Sequence, residues 1–489
     1  MRTSPAVMAP ALVLAVAFVA ACSSSADQPP PRPADQPQTA AQPAGVVGTI
    51  QLWTEAEVDD VLRRLAEFDF DTTSSLLSYA SGTKDRRMIA PFIQLLRFRG
   101  PGELYTRIDH ALLNITGESF GPDWGAWMEW LGRQDDVPLP DGLARWKGET
   151  YGARIDPQFR RFIDGTQPTT LRVELIQWGG VRVDGIPALE NPAFISPQQA
   201  DYLVPDEPVF GVEINGDVRA YPLRILDWHE MANDVVGGVP VSLAYCTLCG
   251  AGVLYETETS EATFTFGSSG LLYGSNKLMY DRQTDTLWNQ LTGEPVHGAL
   301  AGSGIELRRR PIVVTSWADW LADHPQTRVL DIDTGHVRDY TPGAAYGDYF
   351  ASSGTMFPTY QRSQALPEKA WIYALVIDGT PKAYPLELLQ EQGVANDTLT
   401  GETVVLLATP GTRAVRVYER GDLEFAAAVG GEGGASDDAV VDGGGRVWTV
   451  TEDALLGPGG KSLARLPGHL AYWFGWFSFY PRTQLYGDS

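Results

Sequence analysis

The sequence predicts an α+β protein: a helical, HEAT-like N-terminal domain over 48–150, then a mainly antiparallel β region present twice in tandem, over 180–335 and 336–489. Three observations predict it. Apolar residues recur at helical spacing as far as residue 131. Short β-rich runs separated by Asn-Gly, Asp-Gly and Gly-Gly turns begin near residue 170. One motif then returns 163 residues later in the same register.

The chain opens with Met1-Arg2, a mostly apolar run over 7–19, and Ala20-Ala21-Cys22-Ser23. A positive start and a short apolar run fit a signal peptide over 1–21 and are too short for a lasting membrane span. Val19-Ala20-Ala21-Cys22 resembles the lipobox of bacterial lipoproteins, which implies acylation of Cys22 as the first mature residue. Residues 22–47 are mainly Ser, Pro, Gln, Ala and Asp, too poor in bulky apolar groups to offset chain entropy, and read as a flexible linker. The expected location is extracytoplasmic, at the cell surface or in the periplasm, held to the membrane by lipid.

In the helical part, Thr54 with Glu57 forms a capping-box pattern ahead of Val58, Leu62, Leu65 and Phe68. Further helices are expected over 86–98, 103–113 and 124–131, the last with Trp124, Trp127 and Trp130 on one face as core. Short helices joined by Gly-containing turns suggest a scaffold or docking unit for a protein partner.

In the β region, VFGVEINGDVRAYPL over 209–223 is answered by IYALVIDGTPKAYPL over 372–386. The same offset pairs Asn233-Asp234 with Asn396-Asp397 and Tyr255-Glu256 with Tyr418-Glu419. Trp317, Trp320, Pro325 and Thr327 match Trp473, Trp476, Pro481 and Thr483 at an offset of 156. Each copy is expected to start with a hairpin turning at Asn215-Gly216 or Asp378-Gly379, then a short helix opened by Pro. What both copies keep is most simply explained by folding, so Tyr221 is read as part of a helix start and Asn233 as an Asx-type turn.

The copies differ where side chains have chemistry. His229 stands opposite Gln392, Glu230 opposite Gly393, Cys246 opposite Thr409 and Cys249 opposite Thr412. With Cys22 assigned to lipid, Cys246 and Cys249 are the only remaining thiols. A CxxC on a strand-exit loop reads three ways: a structural disulfide, a redox-active dithiol, or part of a site for a metal such as zinc or copper. His229 is the expected third ligand, converging with the sulfurs, and His297 a candidate fourth. The stretch 266–290 is read as a pocket wall carrying Tyr280, Asp281, Arg282, Trp288 and Gln290, with Glu230 beside it. A net charge of -24 excludes nucleic acid and anionic lipid surfaces as partners. Gly460-Lys461-Ser462 lacks the earlier glycine of a P-loop, since that position is Leu455.

Trp228-His229-Glu230, Asn233-Asp234, the run Tyr245 to Cys249, Ser269-Gly270-Leu271-Leu272-Tyr273, Met279-Tyr280-Asp281-Arg282 and Leu287-Trp288-Asn289-Gln290 together resemble the family called domain of unknown function 3179, over about 180–489. That family's pattern usually has Pro where Thr247 stands, a departure that removes no ligand. The resemblance carries no reaction with it. The expected function is a surface-anchored lipoprotein with a Cys-Cys-His metal or small-ligand site. The rivals are an extracytoplasmic thiol-disulfide oxidoreductase and a non-catalytic interaction protein with a structural disulfide.

Export is expected to yield a mature chain beginning at acylated Cys22. Mass spectrometry of the membrane fraction reads this directly, and an unmodified Cys22 or a retained N-terminus contradicts it. Cys22→Ser is expected to release the protein or block its processing.

Overall fold

The computed structural model describes residues 51–429 and 435–487; the signal peptide, the acylation of Cys22 and the linker expected from the sequence all lie outside the described residues. From Gln51 onward the chain forms one compact unit, so the helical segment and the β region pack together.

Among the described residues six α-helices come first: Glu55–Glu67, Phe70–Thr83, Ile89–Phe98, Glu103–Thr116, Trp124–Gly132 and Leu143–Arg154. Thr54 and Glu57 form the reciprocal capping box, and Asp69 and Asp123 cap the second and fifth helices. Trp127 and Trp130 are buried as expected of a core stripe, while Trp124 stands at its rim, 4.8 Å from the Arg97 guanidinium. The last helix runs past residue 150, to Arg154, and its Lys147 joins it to the segment that leads into the β region. Its fully buried ammonium donates to the carbonyls of Val173 (2.8 Å), Glu174 (3.2 Å) and Ile176, and burial pushes its pKa down to about 7. Gln94 donates to the same Glu174 carbonyl at 3.1 Å.

After three two-residue strands, Gln177–Trp178, Leu189–Glu190 and Phe194–Ile195, the β-rich part forms the hairpin Pro208–Ile214 and Asp217–Pro222, turning through Asn215 and Gly216, both at positive φ. Val313–Ser316 pairs antiparallel with its first strand and Arg328–Leu330 parallel with its second. Helix Leu223–His229 leads into an antiparallel meander of Met231–Val236, Val239–Cys246 and Ala251–Glu256. A further sheet holds Phe266–Tyr273, Asn276–Asp281, Leu287–Asn289 and Pro295–His297.

The same order recurs downstream. Hairpin Trp371–Ile377 and Thr380–Pro385 is flanked antiparallel by His469–Tyr472 and parallel by Gln484–Leu485. Helix Leu386–Gln392 leads into Val394–Leu399, Glu402–Ala408 and Val415–Glu419, here part of an eight-stranded sheet. Side-chain bonds recur with it. The Tyr221 hydroxyl donates to Asp234 at 2.7 Å and Tyr384 to Asp397 at 2.8 Å; the Trp320 indole donates to Thr327 and that of Trp476 to Thr483, both at 2.9 Å.

Asn233 is not the Asx turn expected. It sits inside strand Met231–Val236, where its amide donates to the Phe266 carbonyl at 2.8 Å and accepts the Phe266 N–H at 3.1 Å. The side chain thus imitates a strand neighbour and stitches two sheets together. Asn396 bonds Phe425 in the same way, at 2.8 and 2.9 Å, and so links the two end strands of the eight-stranded sheet. Removing either amide strands a backbone donor and acceptor, so Asn233→Ala and Asn396→Ala are each expected to cost about 1–3 kcal/mol in denaturant unfolding. Unchanged midpoints contradict the stitching role.

Candidate functional site

Strand Val239–Cys246 delivers Cys246 at its last position, opposite Ala251 on the returning strand. Between them the chain turns tightly: the Cys249 N–H donates to the Cys246 carbonyl at 3.2 Å. Such a turn keeps the two Cα atoms within about 7 Å, close to the reach of a disulfide. Both thiols are free and buried, at 1% and 0% exposure.

The two sulfurs live in opposite electrostatic settings. Burial raises Cys249, and hydrogen bonding with the Cys246 sulfur raises it further, so its pKa stands well above the usual thiol range. Its sulfur lies 3.4 Å from the Ser275 carbonyl, and the Asn276 amide lies 3.5 Å from it as donor. Burial works to raise Cys246 as well, but the hydrogen bond from Cys249 and the backbone N–H groups of Lys277 and Cys249 outweigh it. The net result holds Cys246 below the usual thiol pKa, against the nearby Glu230 charge.

The surroundings come from several elements. Glu230 ends helix Leu223–His229 in the left-handed conformation, φ 52°. Its carboxylate accepts from the Thr247 hydroxyl at 2.9 Å and the Tyr346 hydroxyl at 3.2 Å, and faces the Lys277 ammonium at 3.3 Å. Gln290 donates to the carbonyls of Ala244 (2.8 Å) and Ala251 (3.0 Å) on the strands flanking the loop, and accepts from Asn276 at 2.8 Å. The far side is closed by later residues. The Tyr472 N–H donates to the Cys249 carbonyl at 2.7 Å, and the Tyr349 hydroxyl to the Leu248 carbonyl at 2.7 Å. Gly475 packs so closely that a Cβ there would stand 2.9 Å from the Cys249 Cβ.

The expected Cys-Cys-His metal set is not assembled, and this corrects the sequence reading. Among the described residues no three His, Cys, Asp or Glu side chains are arranged to hold a metal ion. His229 has both ring nitrogens engaged elsewhere: Nδ1 lies 2.8 Å from the Pro187 carbonyl and Nε2 meets the Tyr340 hydroxyl. Burial, reinforced by His336 and Arg338 nearby, lowers its pKa to about 4, so it is a neutral ring that donates at Nδ1 and accepts at Nε2. His297 lies in another sheet, buried near Asp164 and Lys147.

The expected pocket wall also divides. Gln290 and Glu230 belong to the cysteine site. Asp281 and Trp288 are core: the indole donates to the Asp281 carboxylate at 2.8 Å. Tyr280 and Arg282 bond to Asp184, at 2.6 and 3.1 Å, in a half-exposed ion cluster with Glu190. Sequence reasoning missed Lys277 and Asn276 as site residues, although a Lys beside an Asn inside an apolar strand is a signal of a buried polar partner. Tyr346 and Tyr349 had no such signal.

A family model described as "Protein of unknown function (DUF3179)" matches residues 183–483. No curated protein and no solved structure matches the chain.

Because the Glu230 charge opposes the Cys246 thiolate, Glu230→Gln is expected to lower the pH at which that thiolate forms by about 1 unit. Ultraviolet thiolate absorbance against pH, in a Cys249→Ser background, reads it. An upward shift contradicts the assigned electrostatics.

Proposed function

The chain belongs to that family, and we propose that it is an extracytoplasmic thiol-disulfide oxidoreductase, anchored through Cys22, in which Cys246 attacks and Cys249 resolves. The observation that carries this reading is the opposite proton bias of two sulfurs held in one tight turn. A thiolate is the nucleophile of disulfide exchange, and a neighbour that stays protonated until needed is the group to finish it.

In the reducing direction, the Cys246 thiolate attacks one sulfur of a small disulfide. The substrate S–S bond breaks and one half leaves as a thiolate, which takes up the proton released by Cys249. Cys249 then attacks the Cys246 sulfur, the second half leaves and is protonated from solvent, and the chain holds a disulfide. Two electrons pass from the chain to the substrate, and a reduced donor thiol is needed to restore the dithiol.

The second β unit, in this reading, is a duplicated copy that has lost the chemistry and serves as a cover. The paired hydrogen bonds at Tyr221 and Tyr384 and at Asn233 and Asn396 support that origin.

Incubation of Cys249→Ser with glutathione disulfide is expected to trap a glutathione adduct on Cys246, visible by mass, while Cys246→Ser traps none. Equal labelling of both variants, or of neither, contradicts the assignment of roles.

A further inference from the structure

A second site stands on residues the thiol reading does not use. Helix Leu223–His229 carries Asp227, which is 8% exposed and whose Oδ1 has no hydrogen-bond partner among the described residues. A buried polar atom left so costs free energy unless something else satisfies it. Asp227 lines a cavity of about 430 Å³, within the usual size range of small-molecule sites. The cavity is walled by Tyr245 from the first β unit and by Trp371, Tyr472 and Arg413 from the second.

The charges inside select the ligand. Arg224 is neutralised by its ion pair with Glu207. Arg413 lies 5.0 Å from the centre of the Trp371 ring and makes no salt bridge among the described residues. Asp206 is exposed. We infer that this cavity binds a small carboxylate with an apolar body, its anionic end held by the Arg413 guanidinium and the Asp227 carboxyl and its body lying on the Trp371, Tyr245 and Tyr472 rings. Guanidinium and carboxylate fit one another through two parallel hydrogen bonds, and the aromatic walls take the rest of the molecule.

The Asp227 proton supports this geometry. Burial chiefly, with the Glu230 and Glu207 charges, raises its pKa to about 7 against the opposing pull of Arg413 and a hydrogen bond from Tyr245. A protonated carboxyl can donate to a bound carboxylate, whereas an ionised one repels it. Binding therefore takes up a proton and weakens as pH rises through neutrality.

The test is calorimetric titration of the mature chain with phenylacetate, phenethylamine and phenylacetamide. Phenylacetate is expected to bind best, with affinity falling about tenfold from pH 6 to pH 8 as the Asp227 carboxyl ionises. Arg413→Gln is expected to weaken it about tenfold or more. Asp227→Asn is expected to keep binding but flatten the pH profile, and Cys246→Ser to leave binding unchanged, which separates this site from the thiol chemistry. The inference is overturned by preference for the amine, by affinity that rises with pH, by no effect of Arg413→Gln, or by no phenylacetate binding at millimolar concentration.

Discussion

The cysteine site depends on one residue held in an unfavourable backbone conformation. Glu230 stands at φ 52°, where glycine is the usual occupant and a side chain costs about 1–2 kcal/mol. Helix Leu386–Gln392 ends in the same way on Gly393, also at positive φ. A carboxylate placed where glycine would be easier is a strained choice that its bonds must offset. Its N–H closes the helix onto Leu226 at 2.7 Å, its carbonyl accepts the Tyr245 N–H at 2.9 Å, and Lys277 reaches both carbonyl and carboxylate. With Thr247 and Tyr346 also bound, this residue fixes the helix end, the cysteine-bearing strand and the neighbouring sheet relative to one another.

Enclosure sets the terms of the chemistry. In a dry interior, desolvation disfavours a thiolate, and only donors aimed at the sulfur reverse that balance. At Cys246 the Cys249 thiol is the foremost of them, and the backbone N–H groups of Lys277 and Cys249 add to it. At Cys249 they do not suffice, and the thiol keeps its proton. The cover comes from later in the chain: Tyr472 bonds the loop, Gly475 lets a helix lie against Cys249, and Trp371 packs where a Cβ on Gly250 would be. Trp371 and Tyr472 also wall the cavity that holds Asp227, so the two sites share an aromatic partition.

Much of the fold was legible because it rests on local rules. The capping box at Thr54, the tryptophan stripe and the Asn215-Gly216 turn each express a preference a short window reveals. Glu230, Cys246, Cys249 and Gln290 were legible too, as polar or thiol groups in apolar strands and turns. His229 misled because nearness in sequence does not fix direction: at the end of its helix the ring turns toward Pro187 and Tyr340. Tyr280 and Asp281 are adjacent in one strand and so face opposite sides, one toward an ion cluster and the other into the core. Asp227 and Arg413 stand far apart in the chain, and no spacing rule could join them.

The central claim is that Cys246 and Cys249 exchange between dithiol and disulfide under working conditions. Equilibration of the chain in glutathione buffers of graded potential, quenched by acid and read by mass, measures this directly. The account predicts a reversible two-electron transition in the range of known exchange-active pairs, about -120 to -270 mV. A pair that stays oxidised until below about -300 mV is a structural disulfide, and that result would contradict it.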